Sequence, residues 1–216
     1  MKLYYQRVLF HPNRKPELRR TLLAFSIATM ALTTTADHLI VVKVGGKSFV
    51  AKVEDTAPGR AFMEKLPLTL DMTELNGNEK YRYGVALPTA AQYFDKIEAG
   101  DLMLYGSNCL VLFYGAAGGY SYTRIGKLTS TDGLAKAVGN GSATVTFEKA
   151  TLSANIRMDG NTPQITAVTN LPAEIVITTL AAKDPSADKS EWKDYNLLPA
   201  DEKPAYRFFR LVANVD

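Results

Sequence analysis

Five residues on two short segments carry the most promising chemistry in this chain: Tyr81 and Tyr83, then Tyr120, Tyr122 and Arg124. Within each segment they fall on every second position, so on a strand they share one face. Tyrosine offers a flat apolar ring with a hydroxyl at its tip, and arginine a planar fork that fits carboxylate or carbonyl oxygens. Arg60, Glu74 and Asn76 complete the candidate set, which would suit a peptide or a small organic acid at one mouth of a barrel. The same alternation has a structural explanation as well, because tyrosines favour strands and pack across them.

Other chemistries find little support. Cys109 is the only cysteine, so the chain forms no intramolecular disulfide. It heads an apolar strand with no histidine or base nearby to activate it, as a buried structural thiol would. After residue 36 the one histidine, His38, and that one cysteine give no zinc spacing, and no metal or cofactor is expected. Gly115–Gly119 joins two strands instead of opening a helix, so it is no phosphate loop. Asp95, Glu98 and Asp101 cluster in sequence, but acids at strand ends are usually solvated. No residue is assigned a catalytic role.

The elements that must position the tyrosines centre on Gly100–Gly126. Asp101–Tyr105 and Leu110–Tyr114 are nearly unbroken apolar runs, as in strands covered on both faces or closed into a barrel. Gly106-Ser107-Asn108 joins them as a hairpin, and Tyr120–Ile125 follows as an alternating strand. Upstream, His38–Val44 and Ser48–Val53 alternate around the turn Gly45-Gly46. Thr56 caps a short helix with Pro58 in its first turn, and Leu68, Leu70 and Met72 mark the next strand. An Asn-Gly turn at Asn76-Gly77 leads to the strand of Tyr81, and Leu87–Glu98 reads as a long connection. Thr131 or Asp132 is expected to cap a second helix through Val138, before a strand holding Ala143, Val145 and Phe147. The count between residues 38 and 148 is about eight strands and two short helices.

Charge is unevenly placed. Six of the 25 basic residues and one of the 22 acids lie in residues 1–36, leaving 19 bases against 21 acids. The basic character therefore belongs to the first segment, and no nucleic-acid partner is expected. That segment ends in an uncharged run, Thr21–Leu32, of twelve residues. A bilayer span needs about 20, whereas this run suits a signal-peptide core, with Thr34-Thr35-Ala36 as small residues for cleavage. Residues 1–36 are thus expected to be a signal peptide, with export to a periplasmic or extracellular space and no transmembrane segment after its removal.

MTELNGNEKY (72–81), AGDLMLYGSNCLVLFY (99–114) and YSYTRIG (120–126), with VVKVGGKSFVAKVED (41–55) and Arg60-Ala61-Phe62, resemble the bacterial cyclophilin-like family. The resemblance implies a small closed barrel of mostly antiparallel strands with helices at its ends, over residues 37–149. It implies no activity. The prolyl isomerase cyclophilins use a Phe-His-Arg type motif, a glutamine-containing Gly-Gly stretch, a tryptophan and a histidine. Here Trp192 lies outside the barrel region and no Gln-Gly-Gly run occurs, so that site has no residue-by-residue counterpart.

Residues 150–216 are expected to be a small β-rich extension, with Leu152–Met158, Glu174–Leu180 and Tyr206–Val212 as strands. The fold expected is mainly β: a cyclophilin-like barrel plus this extension. The functional expectation is a non-catalytic ligand- or protein-binding module; the alternative is an isomerase-like or other enzyme built around Arg124 or Arg60.

Overall fold

The computed structural model describes residues 2–9, 38–184, 186–206 and 208–215. They form two compact units: one of residues 38–151, 170–175 and 215, the other of 2–9, 152–169 and 176–214. β1 (Lys2–Leu9) belongs to the second unit, so the barrel begins at β2 (Leu39–Val44).

β2 turns through Gly45-Gly46 into β3 (Lys47–Val53), both glycines having positive φ. A Cβ on Gly45 would stand 2.0 Å from the Ala137 carbonyl oxygen, so space and backbone both demand glycine there. α1 (Ala57–Glu64) follows, with the Thr56 hydroxyl accepting the Gly59 N–H at 3.2 Å. Then come β4 (Leu68–Leu75), β5 (Glu79–Tyr83), β6 (Gln92–Phe94), β7 (Asp101–Tyr105), β8 (Cys109–Phe113), β9 (Tyr120–Leu128), α2 (Leu134–Val138) and β10 (Ala143–Lys149). The second helix begins later than expected. Gly133, with φ 78°, stands at its N-terminus, and neither Thr131 nor Asp132 caps it.

The sheet order is β3-β2-β10-β4-β5-β8-β7-β9, and β9 returns to pair with β3, closing an antiparallel barrel of eight strands. The seam is narrow: a Cβ on Gly126 would meet the Lys52 carbonyl oxygen at 2.4 Å. Short β6 lies within the connection expected over Leu87–Glu98 and adds to the far end of β9. Alternate residues of the wall strands other than β5 point inward and fill the barrel, among them Ile40, Val42, Ala51, Met72, Leu104, Leu112, Ile125 and Val145. α1 inserts Phe62, which meets Phe147 edge-on at 5.6 Å. Burying such a ring contributes about 1.5–3 kcal/mol.

In the second unit, β11 (Leu152–Asp159) and β12 (Thr162–Thr169) form a hairpin. β13 (Ile177–Ala182), β14 (Lys193–Asp194) and β15 (Phe208–Asn214) join β1 in a sheet of order β1-β15-β13-β14. β12 was not expected, since Pro163 and polar residues mask its alternation; it forms as the antiparallel partner of β11. Ile156 and Ile165 from the hairpin pack on Ala181, Tyr195, Leu198, Tyr206 and Phe209, and the Tyr195 hydroxyl donates to the Pro163 carbonyl at 2.7 Å. Of the leader expected over residues 1–36, Lys2–Leu9 pairs with β15, and residues 10–36 lie outside the described residues. Among the described residues no helix is long and apolar enough to cross a membrane.

Candidate binding face

Strand register decides which side chains can meet. Tyr81 stands opposite Val111, Tyr83 opposite Cys109, Val111 opposite Met103, and Met103 opposite Arg124. Directly paired residues point the same way, and a strand repeats its direction every second residue. Hence Glu79, Tyr81 and Tyr83 of β5 share one side with Cys109, Val111 and Phe113, with Met103 and Tyr105, and with Tyr120, Tyr122 and Arg124. The barrel-filling residues occupy the other side, so this face is the outer one. The tyrosine–arginine set therefore gathers on one surface, on the wall of the barrel and not at its mouth.

The outer face has an apolar floor and an aromatic rim. Met103, Cys109, Val111, Phe113 and Tyr122 are buried with Ile97, and Tyr81 and Phe94 pack beside them. The Tyr122 ring meets Phe113 edge-on and Tyr105 at a tilt, both at 5.5 Å. Burial, reinforced by Glu79 and neighbouring tyrosines, pushes the Tyr122 hydroxyl up to about 12. Burial likewise pushes the Cys109 thiol up, so it stays protonated and structural. Tyr83, Tyr105 and Tyr120 rise above this floor, 58%, 48% and 61% exposed.

Arg124 borders the face. Its guanidinium lies 5.0 Å from the Phe94 ring centre and 3.9 Å from Oδ1 of buried Asp101. Lys127 also approaches that oxygen, at 3.6 Å, and bonds Glu98 at 2.6 Å. Hydrogen bonds from Lys127 and Lys96 hold the exposed Glu98 carboxyl down at about 2.

The remaining candidates lie elsewhere. Glu74 faces inward, where its partner across the ladder is Lys80. Lys80 is fully buried; its ammonium bonds the Glu74 carboxylate and the carbonyls of Gly139 (2.8 Å) and Gly141 (2.5 Å), and sits 5.1 Å from the Tyr114 ring centre. Burial would raise the Glu74 carboxyl, but bonds from Lys80, Tyr114 and the Gly77 N–H outweigh it and hold the carboxyl below its usual range. Asn76 turns the β4–β5 hairpin with φ 56°. Arg60 bonds Asp55 at 2.5 Å, and that carboxylate also lies 3.6 Å from His38 Nε2. Glu74, Asn76 and Arg60 thus serve local structure, apart from the tyrosine face.

Sequence reasoning passed over Glu79 and Tyr105. Both were legible in principle, since Glu79 holds the same parity on β5 as Tyr81 and Tyr83, and Tyr105 lies two residues after Met103. Among the described residues no group of three or more His, Cys, Asp or Glu gathers into a metal-binding set.

No curated protein matches the chain. Residues 42–148, the barrel apart from its outermost residues, match the model of the cyclophilin-like family. With the closed eight-stranded wall already traced, this chain carries a barrel that belongs to the cyclophilin-like family.

Proposed function

We propose that this is an exported, non-catalytic binding module whose outer barrel face receives an extended peptide. The observation that carries the reading is the row of half- to mostly exposed rings, Tyr83, Tyr105 and Tyr120, standing on a buried apolar floor. Tyrosines of this kind dominate recognition surfaces because they bury much area while losing little side-chain freedom. The barrel interior is packed, so it offers the ligand no comparable surface. The uncharged run after a basic head supports export, while the pairing of Lys2–Leu9 with β15 speaks for a head that is retained and not removed. A binding role is favoured over the enzyme alternative because both guanidinium groups are engaged, Arg60 with Asp55 and Arg124 with Phe94 and Asp101.

The test is a synthetic library of extended peptides presented to the wild-type protein and to the Tyr83→Ala/Tyr105→Ala double variant. Selected peptides should bind the wild type and lose at least tenfold in affinity with the double variant, while its melting temperature stays nearly unchanged. Equal binding to both proteins would remove the outer face from the function.

A further inference from the structure

Glu79 is out of place on an apolar floor. It is only 6% exposed, yet its carboxylate makes no hydrogen bond or ion pair with any described residue. A buried carboxylate without a partner is costly, and such groups are normally hydrogen-bonded, paired or protonated. Its oxygens are not sealed, because the wholly buried, unpartnered side-chain atoms among the described residues are His38 Nδ1, Asn78 Oδ1 and Asp101 Oδ1. The carboxylate oxygens of Glu79 therefore keep some exposure. By register it points to the outer face, across the ladder from Phe113, whose ring abuts Tyr122. Burial, with the Glu74 charge as a lesser cause, raises its carboxyl above the usual range, as expected of an acid lacking the cation that would hold it ionised.

We infer that Glu79 is the charge-reading residue of the outer face, taking the ammonium or guanidinium group of a basic side chain on the bound peptide. The reading rests on the peptide-binding role proposed above and names its ligand class. Geometry sets the rest. Tyr83 lies four residues along β5 from Glu79, about 13 Å at strand rise, so a peptide of about four extended residues reaches from the rim tyrosine to the acid. Tyr81 lies midway, and its ring with that of Tyr83, 5.8 Å apart and nearly perpendicular, lines the path with π-faces that favour a passing cation. The cation would provide the partner that Glu79 lacks and hold its carboxyl ionised. Arg124, across the sheet, borders the same face and disfavours a second basic group at that side.

Four-residue capped peptides, identical except for lysine, norleucine or glutamate at one position, separate charge reading from plain aromatic contact. Isothermal titration of the wild type should show the lysine peptide at least tenfold tighter than the norleucine peptide, with glutamate weakest. Glu79→Gln, which keeps shape and removes charge, should erase the lysine preference and leave norleucine affinity unchanged. In the wild type, the pH midpoint followed by the carboxyl carbon signal of Glu79 should move down on adding the lysine peptide, a readout that needs no variant. Equal affinity for lysine and norleucine peptides would overturn the assignment while leaving the face a peptide site. Failure of all three peptides to bind would overturn both readings.

Discussion

Glu79 and Lys80 are neighbours on β5, both almost wholly buried, and they point to opposite sides of the barrel wall. Lys80 enters the interior and finds a carboxylate, two backbone carbonyls and a tyrosine ring. Glu79 enters the outer floor and finds no hydrogen-bonding partner among the described residues. A buried charge with all its bonds made ties elements together, here β4, β5 and the segment between α2 and β10. A buried charge with none of them made is a cost that a bound group can relieve. The pair shows how burial alone does not tell a latch from a site; the inventory of partners does.

The largest expected effect lies on the inner side. Lys80→Met leaves the Glu74 carboxylate and the Gly139 and Gly141 carbonyls without their donor, and should lower unfolding free energy by about 3 kcal/mol in chemical denaturation. Replacing both partners, Lys80→Met with Glu74→Leu, should recover part of that loss, since no unpaired carboxylate remains. A single variant as stable as the wild type would show that Lys80 is no latch.

Arg124→Ala comes next. It removes the guanidinium stacked on Phe94 and one of two cations near buried Asp101, which Lys127 still serves, so a loss of about 1 kcal/mol is expected. An unchanged melting temperature would mark Arg124 as free for ligand contact alone.

Glu79→Gln should break the symmetry with Lys80 most plainly, because removing this buried charge is expected to cost no stability at neutral pH. The folded carboxyl holds its proton more tightly than the unfolded one, so wild-type stability should fall as pH rises above about 4.5, the unperturbed value. The glutamine variant should lose that slope and melt at or above the wild-type temperature at pH 7. Marked destabilisation at every pH would mean that Glu79 is bonded in the folded protein.

The smallest effect belongs to the exposed rim. Glu98, held down at about 2 by Lys127 and Lys96, adds stability that is complete above about 4.5 and fades as pH falls toward 2. Glu98→Gln should flatten that acid limb of the melting curve and alter little at neutral pH. An acid limb as steep as that of the wild type would exclude the Glu98 pairs as its source.

The barrel was legible because its wall strands alternate or run apolar for physical reasons that leave a pattern. Ile40-x-Val42-x-Val44 and Phe49-x-Ala51-x-Val53 read directly as inward faces, and Gly45-Gly46 as the turn between them. The grouping of Tyr81 and Tyr83 with Tyr120, Tyr122 and Arg124 was legible as parity within each strand, but which strands adjoin is a matter of topology. The path from β5 through β8 and β7 to β9 is what brings them together. The pairing of Glu74 with Lys80 left no sign in the sequence, because the burial of Lys80 depends on the Gly139–Gly141 segment, some 60 residues away, folding over it. β12 stayed hidden because its alternation is carried by Thr162, Gln164 and Thr166 around Pro163, which resembles a loop in composition.

Chemical-shift mapping shows most directly whether the outer face or the inner side of the wall receives the ligand. The lysine tetrapeptide would be titrated into uniformly 15N-labelled protein and amide shifts followed residue by residue. Changes should concentrate on Glu79–Tyr83, Met103–Tyr105, Cys109–Phe113 and Tyr120–Arg124, with Gly139 and Gly141 unmoved. Shifts centred on Gly139, Gly141 and Tyr114, with the β5–β8–β7–β9 face silent, would contradict an outer-face site.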